Sequence, residues 1–190
     1  MEIIRASEGV PDFIPQTNLG LYKLSEDVIE PAFATAGSAC FDLYCNFSSN
    51  SKIKAFTCST GGSIELFPDF SNKDQSKWYV TIYTGLRVMI PTGIVFDIPK
   101  NHSVRLHNRS GLALKNGIKL VNQEAVIDSD YVEETFVLLE NNSNVPYFLY
   151  NHTRVCQAEL VTNLPVNFYT RDTKPTSETR DGGFGSTGVS

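Results

Sequence analysis

The sequence has no apolar run long enough to cross a membrane. Its most apolar stretch, residues 80–98, is interrupted by Gly85, Arg87, Pro91 and Gly93, whereas a spanning helix needs about 20 largely uninterrupted apolar residues. No secretory leader is expected, because Met1-Glu2-Ile3-Ile4-Arg5 lacks a basic region followed by an apolar core. Positive charge is not in excess: 16 Lys and Arg stand against 21 Asp and Glu, for a net charge of −5. Direct nucleic-acid binding through a broad basic face is therefore not expected, although a local basic pocket is compatible with this charge. Cysteine is sparse, and Cys40, Cys45, Cys58 and Cys156 form no Cys-x-x-Cys pair. Free thiols in a reducing compartment are expected: the cytoplasm, or the nucleus or an organelle for a eukaryotic source. His102, His107 and His152 show no zinc-site spacing with those cysteines, so a zinc site is not expected. Long segments with a 3.6-residue apolar period are also missing, as is any fixed-period repeat.

What is present reads as β structure. The 190 residues, 41% hydrophobic and 19% charged, fit one soluble globular domain with a sizeable core. Short β-prone segments at 80–83, 86–90, 94–98, 104–107, 125–127, 135–139, 147–150 and 157–161 are separated by Gly, Pro and Asn turns such as Pro91-Thr92-Gly93. This pattern predicts an all-β sandwich or barrel. One short helix is predicted, with Ser110 as N-cap, Leu112 to Asn116 as its body and Gly117 in the left-handed stop position.

Two regions read as peripheral. Segment 46–78 is rich in Ser, Asn, Lys and Gly and reads as an insertion after an early strand. Residues 170–183 contain no large apolar side chain, so they cannot bury enough to order themselves and read as an arm. The domain boundaries are thus 1–169 and 170–190. The arm ends in Gly182-Gly183-Phe184-Gly185-Ser186-Thr187-Gly188, where a lone aromatic sits among backbone donors.

Several polar clusters invite a chemical reading, and each also has a bland one. Arg109-Ser110-Gly111 joins a guanidinium, a hydroxyl and a glycine at a turn into a helix, which suits phosphate but also an ordinary surface helix. In Ile127-Asp128-Ser129-Asp130-Tyr131 a carboxylate near phosphates would activate water. A polar hairpin tip explains the same residues. Asp42, inside Ala39-Cys40-Phe41-Asp42-Leu43, is a single carboxylate in an apolar run. Arg154 and Gln157 are three apart and could face one anion, or simply edge a strand. In the glycine-rich tail, backbone can wrap phosphate and Phe184 can stack on a base, or the segment is a linker.

In this order the five clusters resemble the trimeric dUTPases. Ala39 to Leu43, Arg109-Ser110-Gly111-Leu112-Ala113, the stretch from Asn122 to Tyr131, Arg154-Val155-Cys156-Gln157 and Gly183 to Gly188 look like that family's five motifs. The resemblance implies a jelly-roll-like all-β subunit in a homotrimer with shared active sites. It implies hydrolysis of dUTP to dUMP and pyrophosphate with Mg²⁺, by water attack on the α-phosphorus, which lowers dUTP and supplies dUMP for dTTP synthesis.

By the same resemblance, Arg109, Ser110, Gly111 and Gln157 hold the triphosphate, and Asp42 orients waters on the metal. Asp128 is the general base; the family also uses this position to bind the 3′-hydroxyl. Tyr131 packs under the deoxyribose, and Asn122 with the hairpin backbone around Ile127 reads uracil. Phe184 stacks on uracil, while Arg180, Gly185, Ser186 and Thr187 reach the phosphates. The sequence departs from the family at Cys40, Ala125 and Glu133, where glycine is usual. It departs again at Thr179, where the arginine is displaced to Arg180. A dCTP deaminase-like enzyme and a non-catalytic dUTP-binding regulator are the competing readings.

Overall fold

The computed structural model describes residues 17–176. Among these described residues fourteen strands appear in chain order. They are β1 (Gly20–Lys23), β2 (Ala32–Phe33), β3 (Phe41–Tyr44), β4 (Ile53–Thr57), β5 (Ser63–Leu66), β6 (Tyr79–Ile82) and β7 (Leu86–Pro91). Then come β8 (Ile94–Asp97), β9 (His102–His107), β10 (Ile118–Leu120), β11 (Ala125–Asp128), β12 (Phe136–Asn141), β13 (Tyr147–Tyr150) and β14 (Arg154–Thr162). The α-helix α1 (Ser110–Asn116) joins β9 to β10.

Two five-stranded sheets carry the fold, in the orders β10-β12-β7-β4-β5 and β11-β9-β14-β3-β2. Alternation dictates which face is buried. In β7, Leu86, Val88 and Ile90 point inward while Arg87 and Met89 do not. Val88, Ile90, Val137 and Leu139 of one sheet share a single apolar cluster with Val104, Leu106, Cys156 and Ala158 of the other. The two sheets thus enclose one core in a jelly-roll-like arrangement, as expected. Buried polar groups are matched where strands end. Asn141 donates to the carbonyls of Ile82 at 2.8 Å and Val145 at 2.9 Å. Asn151 accepts from the Phe47 amide at 2.7 Å.

The helix begins one residue earlier than expected. Arg109, not Ser110, is the extended N-cap, because the Ala113 amide donates to the Arg109 carbonyl at 3.0 Å and closes the first turn there. Ser110 is the first helical residue. Gly117 does hold the left-handed stop, at φ 66°, and a Cβ there would sit 2.9 Å from Ser143 Cβ.

Segment 46–78 is less peripheral than its composition suggests. Phe47, Ile53 and Ala55 are fully buried, and β4 lies hydrogen-bonded between β5 and β7. Its polar residues occupy the outward positions and turns, while its few apolar residues complete the sheet. Asn163 still holds to β9 and the turn before it, donating to the Asn101 carbonyl at 2.7 Å and accepting from Ser103 Oγ at 3.0 Å, and the chain beyond it runs exposed. Leu164, Val166, Phe168 and Tyr169 are all exposed. Among the described residues no helix is long and apolar enough to cross a membrane, and all four cysteines are free.

Candidate active site

The register of β3 against β14 builds the first half of the site. Asp42 pairs with Gln157 and Tyr44 with Arg154, and a register shift falls between Arg154 and Cys156. In a regular strand, residues three apart face opposite sides. The bulge inserts one residue, so Arg154 and Gln157, opposite the same-face pair Tyr44 and Asp42, share a face. Val155 and Cys156, both buried, absorb the irregularity.

Asp42 is the electrostatic centre of this half. It is buried, and Arg154 Nη1 donates to its Oδ2 at 3.0 Å. Arg109 Nε lies 3.5 Å from Oδ1, and Arg109 Nη1 donates to the Arg154 carbonyl at 2.9 Å. Two guanidiniums on one carboxylate leave a net positive cluster, suited to a polyanion. Asp42 Oδ1 is buried without a hydrogen-bond partner, with the Arg109 guanidinium as the charge beside it. Beneath it the Cys156 thiol is pushed far up, first by burial and then by Asp42, with Arg109 opposing. It is a neutral wall of the site rather than a nucleophile. Ser110 and Gly111 follow Arg109 at the first turn of α1. A Cβ on Gly111 would meet nothing within 4 Å, so the approach to that backbone is open from within this chain.

The second half is the hairpin after β11. Asp128 is exposed and pairs with Ser103 at the end of β11, while Ile127 pairs with Val104. The stretch from 127 to 131 is not extended throughout. The Tyr131 amide donates to the Asp128 carbonyl at 3.1 Å, so a turn intervenes and Asp128 and Asp130 do not form one extended face. The Tyr131 hydroxyl donates to the Glu134 carbonyl at 2.9 Å, and Glu134 Oε1 accepts from the Gly93 amide at 2.8 Å. Burial, the largest influence, raises Glu134 above its ordinary value, against the Gly93 and Thr92 amides. Glu133 has no left-handed backbone among the described residues, and Ala125 sits in regular pairing with Leu106. Neither departure from glycine strains the hairpin. Asn122 lies in the turn before β11, where its carbonyl accepts from the Glu124 amide at 2.6 Å.

Within one chain the two halves do not meet. Asp128 pairs at Ser103 of β9, whereas Gln157 pairs at His107, four residues further along that strand. At about 3.3 Å per residue and about 4.8 Å per strand, and with two strand spacings between them, the Cα atoms are roughly 16 Å apart. Arg180, Phe184, Gly185, Ser186 and Thr187 lie outside the described residues. Sequence reasoning missed one grouping, that of Cys40, His107 and Glu159, whose ligand atoms all lie within 4.8 Å of one another. Only strand register, and not spacing along the chain, could have found it.

The family model described as dUTPase matches residues 75–188 of the chain. The deoxyuridine 5'-triphosphate nucleotidohydrolase of Sinorhizobium medicae is 30% identical over 183 residues, which cover 96% of this chain and 98% of that protein. A mutant dUTPase of phage phi11 of S. aureus, described with a structural Mg(II) ion, superposes with a TM-score of 0.62 at 13% identity, covering 84% of this chain and 100% of that one. A mutant dUTPase of Staphylococcus bacteriophage 80alpha with dUpNHpp superposes with a TM-score of 0.60 at 14% identity, covering 92% and 100%.

Proposed function

The chain belongs to the dUTPase family, and from that membership we infer that it hydrolyses dUTP to dUMP and pyrophosphate. The observation that carries the reading to this chain's own residues is the Asp42–Arg109–Arg154 cluster. It is a preformed, net positive pocket wall. Arg109, Ser110, Gly111 and Gln157 bind the triphosphate there. Mg²⁺ fits the site best through water, because two guanidiniums disfavour direct cation contact with the buried Asp42 carboxylate. When bound with the nucleotide, Mg²⁺ neutralises phosphate charge and orients the oxygens.

Asp128 takes the proton of the attacking water as the α-phosphorus–oxygen bond to pyrophosphate breaks. Its exposure in the single chain suits a base presented to a neighbour's pocket. The roughly 16 Å between the halves supports sites shared across a homotrimer, since at that separation one chain cannot hold both ends of a single α-phosphate reaction. Exposed Leu164, Val166, Phe168 and Tyr169 supply apolar surface of the kind a subunit contact covers. Tyr131 fills the space beneath the deoxyribose, Asn122 and the Ile127 backbone read uracil, and the arm from 170 closes with Arg180, Phe184, Gly185, Ser186 and Thr187. Lowered dUTP and dUMP for dTTP synthesis are the consequence.

The test is a panel of dUTP, dCTP, dTTP and UTP with Mg²⁺, reading pyrophosphate and ammonia together. Pyrophosphate from dUTP alone is expected. Ammonia from dCTP would replace this reading with a deaminase, and binding of dUTP without any product would make the protein a sensor.

A further inference from the structure

Cys40, His107 and Glu159 come from three neighbouring strands or their ends, and register explains why they meet. Phe41 pairs with Ala158 and Asp42 with Gln157. One further step places Cys40, just before β3, opposite Glu159. On the other side of β14, His107 pairs with Gln157 and Arg105 with Glu159. His107 is thus the diagonal neighbour of Glu159 on the same face, within reach of long side chains. Its Nε2 lies 3.0 Å from Glu159 Oε1, and the thiol completes a trio with all ligand atoms within 4.8 Å. Arg105, the residue directly opposite Glu159, does not compete for this carboxylate. Its Nη1 donates to Glu124 at 3.0 Å and its Nε to Ser103 Oγ at 3.1 Å.

We propose that Cys40, His107 and Glu159 form a binding site for a borderline-soft divalent cation of the zinc class, with water in the fourth position. A thiolate, an imidazole and a carboxylate are the donor set such ions take, and magnesium, which seeks oxygen ligands, does not. Bond lengths of 2.0–2.3 Å place tetrahedral ligand atoms about 3.5 Å apart, so only a small side-chain contraction is needed. Charge balances as well: thiolate and carboxylate together neutralise a divalent ion. Binding releases the Cys40 thiol proton, and the Nε2 proton that His107 directs at Glu159 leaves that nitrogen as it takes the ion, so Nδ1 carries the remaining N–H. The site is distinct from the magnesium–nucleotide pocket but joined to it, because Gln157 lies between Asp42 and His107 in the register.

The experiment is a Co²⁺ titration of the full chain in excess Mg²⁺ without nucleotide, read by absorption. Wild type should take up one Co²⁺ per chain with a sulfur-to-cobalt charge-transfer band. Cys40→Ser should abolish the band. His107→Ala and Glu159→Gln should each weaken binding at least about tenfold, since even groups that merely orient metal ligands are worth 10–100-fold. Cys58→Ser, which removes the exposed thiol, should leave the band intact. Circular dichroism confirms that each variant is folded, and Cys40→Ala stands in if Cys40→Ser is not. No thiolate band in folded wild type, or a band that survives loss of Cys40 or vanishes with Cys58, would overturn the proposal.

Discussion

The Asp42 cluster and the hairpin after β11 are both polar, yet they are held in opposite ways. Asp42 is buried, gripped by two guanidiniums, and set by a bulge in the middle of a sheet. The hairpin is exposed and held by short-range bonds, such as Tyr131 to Asp128 and to Glu134. A pocket that must receive several negative charges needs its positive groups positioned beforehand, since reorganising them around the ligand costs affinity. On the function proposed above the hairpin serves a neighbouring chain, and it needs instead to project. The contrast predicts that damage to the hairpin affects rate more than folding, whereas damage to the cluster affects both.

The largest effect is expected from Asp128→Asn. Turnover should fall about 10²–10⁴-fold with nucleotide binding and melting temperature nearly unchanged, because a general base is lost and nothing is unpacked. An unchanged rate would place the base elsewhere. The same variant tests sharing: mixed with Arg109→Ala chains, themselves inactive, it should recover part of the activity in reassembled oligomers. Mixtures that stay dead would assign both groups to one chain.

A smaller effect is expected from Asp42→Ala, which leaves two guanidiniums facing each other. We expect a loss of about 1–3 kcal/mol, below the range for a fully buried pair because Arg154 is half exposed, together with weaker dUTP binding. Thermal melts and equilibrium binding read the two separately. Undisturbed stability would mean that the cluster is not preorganised by charge.

The smallest effect belongs to Glu134→Gln. Burial raises the Glu134 carboxyl in the folded state, so its favourable protonated form persists below the ordinary value of about 4.3 and is lost as pH rises through the raised one. The glutamine stays neutral and can still accept from Gly93. Variant and wild type should therefore melt alike near pH 4, with the variant gaining on wild type towards pH 7.5. A difference independent of pH would exclude ionisation as the cause.

Much of this was legible in the sequence where local chemistry and packing agree. Leu86, Val88 and Ile90 alternate in the sequence as they do in β7, and Gly117 stops the helix because its backbone is left-handed. Legibility failed where composition and position diverge. Segment 46–78 reads as polar, but a few apolar residues at alternate positions suffice to seat β4 in the sheet. Ser110 looks like a cap, yet the first helical hydrogen bond closes on Arg109.

The chain's own order of residues determined that it is a β protein, and it displays the five polar clusters that resemble the dUTPase motifs. It did so because strand alternation, turn residues and motif spacing are local properties that need no knowledge of neighbours. Tertiary structure alone decided that Arg154 and Gln157 share a face, that Asp42 is clasped by two arginines, and that Cys40 meets His107 and Glu159. Each depends on strand register, and register is set by the whole core finding its buried face, across residues distant in the chain.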